Sequence, residues 1–412
     1  MSAKITLNEY LIKNNQSRQD NYDFLSFLHK IKFKFNVPFI HVTGTNGKGS
    51  VTNFIANIYE ASGYKTGCFT SPFFKSYIEN ISINNVAIRE EEGEAIFEEY
   101  YNEINKFNLT QFEVITFIAL YYFVKNKCDI AAIEVGMGGL YDATNIEEAP
   151  VLAIINNVDI EHSAFLGRSK SEIAYNKAGI IKDGCPVLIN RLDEDCTYAV
   201  NEVAKKSKSK VYTVSEFYNY DIVAGRLVIG YYPYPSVKVN TSALYQRLNV
   251  ACALEAIHIL NESFPIKVET LQLAFDKPCL DGRFTTLKIK DKRIIIDGAH
   301  NPLAIETLIM TLDRIGARKK TAIVGVFRDK NVEKILAILG SHVDEIFLTT
   351  FEHERARTED EFFVFTAEYQ FVEYKEKFEE LLESSEEDII LITGSLYFST
   401  LFLNYLKTKK LI

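Results

Sequence analysis

Short runs of apolar residues recur along this chain of 412 residues, and several are followed at once by a glycine or a polar residue. The runs occupy residues 39–42, 130–135, 151–155, 293–297, 322–326, 345–348 and 389–393. A short run without polar alternation is typical of a strand that is buried on both faces, as in a parallel sheet covered by helices. Helical patterns separate the runs, so the sequence predicts an α/β fold with mostly parallel strands.

The length of the chain exceeds the usual size of one hydrophobic core, so we expect two domains. Turn-forming residues at 277–283, Lys-Pro-Cys-Leu-Asp-Gly-Arg, precede the later series of apolar runs. We therefore place the junction there. The prediction is a first domain over residues 1–280 and a second, smaller domain over residues 281–412.

Composition and charge argue against several classes of protein. The formal charge of −9 leaves no excess of Lys and Arg for an extended nucleic-acid surface. No segment forms the apolar run of about eighteen residues that a membrane span needs, and the N-terminus lacks the apolar stretch of a secretory signal. The six cysteines form no Cys-x-x-Cys pair. We expect a cytoplasmic protein with reduced thiols.

The strongest chemical signal is the segment Thr-Gly-Thr-Asn-Gly-Lys-Gly-Ser at residues 43–50. It lies between a predicted strand and a helix predicted from about Lys48 to Ser62, where backbone amides can surround phosphate oxygens. We expect Lys48 to hold the terminal phosphates. The spacing of Gly44 and Gly47 is shorter than in the general P-loop, which indicates a specialised variant.

This variant loop resembles that of the Mur ligase superfamily, and further segments narrow the resemblance to its folylpolyglutamate and dihydrofolate synthase branch. They include Glu-Val-Gly-Met-Gly-Gly at 134–139 and Asp-Gly-Ala-His-Asn-Pro at 297–302. The others, in the family's order, lie at residues 70–72, 112–116, 142–145, 161–162, 177–180 and 393–395. The resemblance implies a Mur-ligase-like P-loop domain with a mostly parallel sheet, followed by a smaller Rossmann-like α/β domain.

The resemblance also implies a metal site. Ser71, Glu134 and His162 would coordinate Mg²⁺, as one ion or two, with Mn²⁺ as an alternative because one ligand is an imidazole. Lys177 resembles the lysine that this family carbamylates, which would make it an anionic ligand for a second ion. Considered singly, Glu134 could be a buried ion-pair partner, and Lys177 an exposed lysine on a helix that begins near Lys170.

Nucleotide and substrate residues are assigned by the same resemblance. The residues expected at the nucleotide, with ATP as the co-substrate, are Asn46, Gly47, Lys48, Gly49, Ser50, Asn249, Arg283 and Asp297. Those expected at the substrates are Phe73, Gln111, Phe112, Glu113, Asp142, His300, Arg355 and Ser395. The catalytic residues would be Lys48, Lys177 and His300. For Asp297 the structural alternative is a helix cap after a strand.

The activity that the resemblance implies is ATP-dependent ligation. ATP would convert a substrate carboxylate into an acyl phosphate, which the amine of L-glutamate would attack while His300 or Asp297 helps to remove the proton. Arg283 would reach the phosphates only when the domains close, and the Arg355 guanidinium suits the carboxylates of glutamate. We expect a monomer that binds a reduced folate or folylpolyglutamate, with no nucleic-acid or membrane partner.

Two departures from the family pattern keep alternatives open. Leu140 stands where members that use dihydropteroate often carry arginine, which favours polyglutamylation but leaves a dihydrofolate synthase or a bifunctional enzyme as alternatives. Glu161 replaces the usual aspartate before His162, so a catalytically silent binding protein is a further alternative. A GTPase-like switch is disfavoured, because Gly179 stands where a carboxylate is needed to recognise guanine.

Overall fold

The computed structural model describes residues 5–16, 18, 20–72, 76–216, 218–317, 319–384 and 388–412. The chain divides into two units. The first comprises Met1–Asn219, Ile229–Val237 and Leu248–Lys277, and the second comprises Tyr220–Val228, Lys238–Arg247 and Pro278–Ile412. Across the ranges described, no helix combines the length and the apolar character that a membrane crossing requires.

An eight-stranded sheet forms the centre of the first unit. Its strands are β1 Phe39–Thr43, β2 Thr66–Phe69, β3 Ile81–Ile83, β4 Val86–Ala87, β5 Ile130–Glu134, β6 Leu152–Ile155, β7 Val187–Ile189 and β8 Val211–Thr213. They are ordered β4-β3-β2-β5-β1-β6-β7-β8. All pairings are parallel except those of β3, which is antiparallel to both β2 and β4. The central strand β1 is buried at all five of its residues.

Helices connect these strands and cover the sheet. They are α1 Leu7–Lys13, α2 Tyr22–Lys30, α3 Lys48–Ala61, α4 Glu90–Lys106, α5 Gln111–Lys125, α6 Ser163–Leu166, α7 Lys170–Ala178, α8 Glu194–Lys206, α9 Gln246–Ile259 and α10 Leu271–Asp276. The first two residues of α9 belong to the second unit. The helix predicted after the phosphate loop is confirmed as α3, and α7 begins at Lys170, as predicted.

A further, three-stranded sheet contains β9 Tyr218–Val223, β10 Arg226–Tyr231 and β11 Val237–Val239, in the order β11-β10-β9. The apolar-run pattern does not predict it. The reason is visible in β9, whose residues Tyr-Asn-Tyr-Asp-Ile-Val are half-buried or exposed, so burial on two faces does not shape their sequence.

A six-stranded sheet organises the second unit. Its strands are β12 Thr285–Ile289, β13 Lys292–Ile296, β14 Lys320–Val324, β15 Glu345–Leu348, β16 Gln370–Phe371 and β17 Ile389–Thr393, and its helices are α11 Pro302–Leu312, α12 Val332–Gly340, α13 Glu359–Phe362, α14 Tyr374–Glu383 and α15 Leu396–Thr408. The order is β12-β13-β17-β14-β15-β16, with only β12 antiparallel.

Both faces of this second sheet are covered by helices. Ile295 of β13 packs in one apolar cluster with Leu308 of α11, whereas its neighbours Ile294 and Ile296 pack in another cluster with Phe402 of α15. Successive side chains of a strand point to opposite faces, so a strand that is apolar at consecutive positions must be buried on both sides. The predicted α/β class with mostly parallel sheets is therefore confirmed.

The parallel strands of the first unit bring several loops to one edge. β1 ends at Thr43, β5 at Glu134 and β6 at Ile155, and β1 lies between the other two strands. After β1 the chain continues to β2, which lies on one side of β1 in the strand order. After β5 it crosses to β6, which lies on the other side of β1. Ligand sites in open α/β sheets occur at the carboxyl ends of strands where the order switches in this way.

Candidate active site

The phosphate loop joins the end of β1 to the first residue of α3, Lys48. Gly47, at the N-cap of this helix, has a left-handed backbone with a φ of 80°. A Cβ at this position would lie 2.3 Å from Oδ1 of Asn249 and 2.7 Å from Nδ2 of Asn156. Both the conformation and the space therefore require glycine, and they let the backbone amides of the helix N-terminus remain accessible to a phosphate.

Lys48 folds back over the loop that precedes it. Its Nζ donates a hydrogen bond to the carbonyl oxygen of Gly44 at 2.9 Å. The ammonium group is thus held at the loop, and Gly49 and Ser50 are buried in the first turn of α3. The structure brings Asn249 against the same loop, so the predicted nucleotide residues of the first unit, Asn46, Gly47, Lys48, Gly49, Ser50 and Asn249, lie together.

Two predicted metal ligands come from neighbouring parallel strands. Glu134 is the last residue of β5 and is 2% exposed, and Ser71 follows β2. The backbone N–H of Ser71 donates to Oε2 of Glu134 at 2.8 Å. A carboxylate and a hydroxyl-bearing residue therefore meet at the carboxyl edge of the sheet.

The donor atoms present fit Mg²⁺. The described residues contain no cluster of three or more His, Cys, Asp or Glu side chains that could enclose a metal ion. Mg²⁺ rarely uses such a protein cage, because it retains several waters and binds through one or two carboxylates together with substrate phosphates. Glu134 beside Ser71, at the end of the strand that pairs with β1, has the chemistry of such a site.

Lys177 is the largest departure from an ordinary lysine environment. It is fully buried on α7, and its Nζ donates to Oε1 of Glu161 at 2.7 Å. The alternative of an exposed lysine is therefore wrong. Burial lowers the pKa of Lys177 to about 8, although the neighbouring carboxylate of Glu161 acts in the opposite direction.

Glu161 connects this lysine with the rest of the site. Burial acts to raise the pKa of Glu161, but the positive charges of Lys177 and Lys48 outweigh it and lower the pKa to about 2. His162 follows Glu161 and has a left-handed backbone with a φ of 45° at the start of α6. The charges of Lys48, Lys177 and Glu161 thus influence one another, which places the three side chains in one electrostatic environment.

Two carboxylates predicted to contact substrate are engaged in internal hydrogen bonds. Glu113 accepts a bond at 2.7 Å from the backbone N–H of Thr110, as part of the capping box that starts α5. Asp142 accepts bonds from the N–H of Met137 at 2.8 Å and from the hydroxyl of Thr144 at 2.6 Å. Burial raises the pKa of both carboxyl groups, against the effect of these bonds.

The remaining predicted substrate residues of the first unit lie in the first turn of α5 or outside the described ranges. Gln111 and Phe112 are the first residues of α5, and Phe112 stacks on Phe69 with the ring centroids 6.1 Å apart. A Cβ on Gly136 would lie 2.5 Å from Cζ of Phe112 and 3.0 Å from Oδ2 of Asp142. These three residues therefore meet. Phe73 falls outside the residues that the structure describes.

The second unit contains the other predicted residues. Asp297, His300 and Ser395 follow β13 or β17, and Arg355 follows β15. Asp297 accepts a bond from the Tyr245 hydroxyl at 2.7 Å and one from the N–H of Ala299 at 2.8 Å. The alternative of a helix cap is wrong for Asp297, because Asn301 caps α11. Burial raises the pKa of Asp297, and the Tyr245 bond and the charge of Arg283 act against this.

Three predicted glutamate-site residues have distinct local partners in this unit. His300 Nδ1 is 2.8 Å from the carbonyl oxygen of Gly298, which it can reach as a donor. Ser395 is the N-cap of α15. Arg355 is half exposed, its Nη2 lies 3.1 Å from Oδ1 of Asp329, and its guanidinium carbon lies 4.9 Å from the centre of the Phe327 ring. This guanidinium is held by a carboxylate and a ring while it remains accessible.

Two neighbouring carboxamides that contact the phosphate loop, one buried and one half-buried, were missed by the sequence analysis. Asn156 and Asn157 follow β6, and both donate to the carbonyl oxygen of Asn46, at 2.8 and 2.7 Å. Asn157 Oδ1 also accepts from the backbone N–H of Asn46 at 2.7 Å. Two consecutive asparagines directly after a buried strand are the signal that could have indicated them.

Comparison with known proteins gives two family matches along the chain. Residues 42–232 match the Mur ligase middle domain, and residues 282–396 match the Mur ligase glutamate ligase domain. The chain is 31% identical over 394 residues to the folylpolyglutamate synthase of Lacticaseibacillus casei, with 88% of each protein covered. It is 29% identical over 381 residues to the dihydrofolate synthase/folylpolyglutamate synthase of Bacillus subtilis, covering 87% of this chain and 88% of that protein.

The fold is also that of a solved relative. A structure of Mycobacterium tuberculosis folylpolyglutamate synthase complexed with ADP superposes with a TM-score of 0.87 at 22% identity, and 97% of each chain is covered. The family is shown by the two family matches and by the relative from Lacticaseibacillus casei. The chain belongs to the folylpolyglutamate synthase/dihydrofolate synthase family of Mur ligases.

Proposed function

We propose that this chain is an ATP-dependent ligase that adds L-glutamate to a reduced folate or a folylpolyglutamate through an acyl phosphate. The observation that carries the proposal is the arrangement at the carboxyl edge of the first sheet. There the Lys48 loop follows β1, and the Glu134–Ser71 pair follows the neighbouring strands β5 and β2. Family membership supports the reaction class, since the relatives are named for it.

ATP is the proposed phosphoryl donor, because a carboxylate resists attack by an amine until one of its oxygens becomes a leaving group. Residues Asn46 to Ser50 would hold the phosphates through backbone amides, and Lys48 would offset charge that develops on the transferred phosphoryl group. Its tether to Gly44 keeps the ammonium group at the loop. Asn249 would contact the nucleotide from α9.

Mg²⁺ is the proposed metal, held by Ser71, Glu134 and His162, and when bound it supplies a positive charge that draws electron density from phosphate oxygens. Mn²⁺ is an alternative ion. Glu134 is poised for a ligand role, since its carboxylate is anchored by the Ser71 amide at the mouth of the site. Such an anchor fixes the direction of the carboxylate before a cation arrives.

Lys177 is the proposed site of carbamylation and a ligand for a second ion. A lysine must lose its proton before it can react with carbon dioxide, and full burial favours that neutral form. The carbamate would be an anion next to Glu161, so the pair would need a cation to offset its charge. Labelled bicarbonate and carbon NMR would detect the modified lysine directly.

The remaining substrate roles are divided between two proposed domains, residues 1–280 with the ATP and folate sites and residues 281–412 with the glutamate site. In the first domain Phe73, Gln111, Phe112, Glu113 and Asp142 would form or support the folate site. In the second, Arg355, His300 and Ser395 would receive glutamate, with Arg283 and Asp297 directed to the nucleotide. The accessible guanidinium of Arg355 supports this, because it suits a carboxylate ligand.

A bifunctional enzyme is the second candidate, favoured by the double name of the Bacillus subtilis relative. One assay separates the candidates. Purified protein receives ATP, Mg²⁺ and labelled glutamate with either tetrahydrofolate or dihydropteroate, and the products are resolved by mass. We expect glutamylated tetrahydrofolate, and product from both acceptors would establish the bifunctional enzyme. Product from dihydropteroate alone would refute the preferred acceptor.

The same assay tests the nucleotide and the reaction class. Glutamate-dependent release of ADP is expected, with GTP a poorer donor, and a GTP preference without ligation would refute a ligase. Lys48→Met serves as the inactive variant, and Lys13→Met, an exposed lysine on α1, serves as its control. Light scattering on the same preparation tests the proposed monomer.

A further inference from the structure

Three buried carboxamides form a continuous chain that ends at the phosphate loop. Asn190 Nδ2 donates to Oδ1 of Asn156 at 2.8 Å, and Asn156 Nδ2 donates to Oδ1 of Asn249 at 3.0 Å. The same Asn156 nitrogen donates to the carbonyl oxygen of Asn46 at 2.8 Å. Asn156, Asn190 and Asn249 are 1%, 3% and 5% exposed, so water does not substitute for these bonds.

These contacts determine the orientation of the Asn156 side chain. A carboxamide nitrogen has two hydrogens, and Asn156 uses them for Asn249 and Asn46. Its oxygen receives the hydrogen of Asn190, which is itself anchored by a bond to the carbonyl oxygen of Leu248 at 3.2 Å. The reversed orientation would place the NH₂ groups of Asn156 and Asn190 against each other. Hydrogens are therefore donated in one direction only, from Asn190 to Asn156 and from Asn156 to Asn249 and Asn46.

The orientation of Asn249 follows from that of Asn156. Because Oδ1 of Asn249 faces Asn156, its Nδ2 is directed to the opposite side of the carboxamide. The same Oδ1 lies where a Cβ of residue 47 would be, at 2.3 Å, so the carboxamide packs directly on the backbone of the phosphate loop. Asn156 thus contacts both a loop carbonyl and the side chain that is proposed to reach the nucleotide.

We propose that Asn156 is a positioning residue for nucleotide binding: its carboxamide fixes the phosphate loop through Asn46 and aims the side chain of Asn249. It does not itself touch the nucleotide in this proposal. The inference rests on the proposed function only in taking an adenine nucleotide as the ligand. Asn190, at the far end of the chain, holds Asn156 in the productive orientation.

Asn156→Asp retains the shape of the side chain and removes both donated hydrogens. Because its carboxylate could also repel phosphates, the uncharged Asn156→Leu, which likewise lacks both hydrogens, is measured beside it and should lose ADP affinity to a similar degree. We expect ADP affinity, measured by calorimetry on the full chain, to fall by about fivefold to a hundredfold, because Asn249 and the carbonyl oxygen of Asn46 lose the hydrogens that hold them. The KM for ATP should rise in parallel. The KM for glutamate should change by less than about twofold, because a general loss of structure would affect both substrates.

Asn14→Asp is the matched control. Asn14 is also buried, at 7% exposure, and its Nδ2 donates to the carbonyl oxygen of Tyr10 at 2.9 Å at the end of α1. This variant should lose thermal stability to a similar degree and keep the ADP affinity of the unaltered protein. If both variants bind ADP equally well, or if Asn156→Asp weakens ATP and glutamate alike, the inference is refuted.

Two further variants keep the test decisive if Asn156→Asp does not fold. Asn156→Ser retains one donor and should show an intermediate loss of ADP affinity, and an unchanged affinity would contradict the proposal. In a double-mutant cycle, the variant that combines Asn156→Ser with Asn249→Ala should lose less free energy of ADP binding than the two single variants together. The reason is that Asn156 acts partly through Asn249. Strict additivity would refute the part of the proposal that concerns Asn249.

The experiments distinguish a failure of the ligase proposal from a failure of the proposed role of Asn156. A protein that binds ADP but releases none in a glutamate-dependent manner would refute the ligase proposal, while the role of Asn156 would still be decided by ADP binding. A protein that ligates glutamate with Asn156→Asp as well as without it would refute the positioning role alone.

Discussion

Lys177 Nζ and Glu161 Oε1 are 2.7 Å apart, and the lysine side chain is fully buried while the glutamate side chain is 15% exposed. The pair is therefore asymmetric. Removal of the carboxylate would leave a cation without water or a counter-ion, whereas removal of the lysine would leave a carboxylate that water can still reach. Through this contact the side chain of Glu161, which precedes α6, reaches α7.

Glu161→Ala should destabilise the protein by about 3 kcal/mol, because it leaves the buried ammonium group of Lys177 unpaired. Lys177→Met should lower the free energy of unfolding by less than Glu161→Ala does. The double variant Glu161→Ala/Lys177→Met should regain most of the stability that Glu161→Ala loses. Calorimetric melting of the full chain, without bicarbonate or divalent metal, measures all three. Equal losses for both single variants would show that the burial of Lys177 does not determine the cost.

Gly47→Ala should abolish nucleotide binding as well as reduce stability, since a Cβ would collide with Asn249 Oδ1 at 2.3 Å. Gly184→Ala is the matched control: its φ is also positive, at 71°, but no atom lies within 4 Å of the added Cβ. The control should lose only about 1 kcal/mol of stability, which is the cost of the left-handed conformation for alanine. ADP titration distinguishes the two variants, and equal ADP affinity would contradict the prediction.

Glu134→Gln should raise the Mg²⁺ concentration for half-maximal activity by about tenfold or more, because an amide oxygen is a weaker ligand than a carboxylate. The amide can still accept the bond from Ser71, so the melting temperature should change little. Activity is measured as a function of Mg²⁺ concentration, with chelator-treated protein as the reference. An unchanged Mg²⁺ dependence would exclude Glu134 as a ligand.

Arg355→Ala should raise the KM for glutamate by about tenfold while the KM for ATP stays nearly constant, because a lost bond to a charged group costs about 1.5–3 kcal/mol. Arg328→Ala is a suitable control, since Arg328 is 50% exposed and paired with Glu361, whereas Arg355 is 55% exposed and paired with Asp329. Initial rates over a range of glutamate concentrations provide the measurement. If both variants behave alike, Arg355 has no special role at glutamate.

Much of the fold was predictable because burial on two faces leaves a direct mark on sequence. The runs at 130–135 and 389–393 correspond to β5 and β17, whose residues are all buried. The strands β9 to β11 left no such mark, because exposed and half-buried positions in them tolerate polar residues. Sequence periodicity therefore identified the two parallel sheets and missed the smaller one.

The candidate site was predictable only where its residues are contiguous or follow a strand. The phosphate loop combines glycines with a lysine over eight positions, and Glu134 ends an apolar run. The Glu161–Lys177 contact joins residues 16 positions apart, and the Asn156–Asn249 contact joins residues 93 apart. Such contacts depend on chain topology, which composition and spacing do not specify.

Internal hydrogen bonding accounts for another limit of the sequence analysis. Glu113 and Asp142 belong to segments that resemble functional motifs, yet each carboxylate is bonded to its own local backbone. A motif residue can preserve the shape of a loop rather than contact a ligand, and a sequence does not distinguish these roles.

The carbonyl of Asn46 is held by two carboxamides, and the adjoining Gly47 has a left-handed backbone. A loop that internal hydrogen bonds hold in place loses little conformational entropy when a ligand binds to it. If this loop holds the phosphates, as proposed, the association rate of the nucleotide should fall as the ionic strength rises, because the anion is attracted to the positive charge of Lys48.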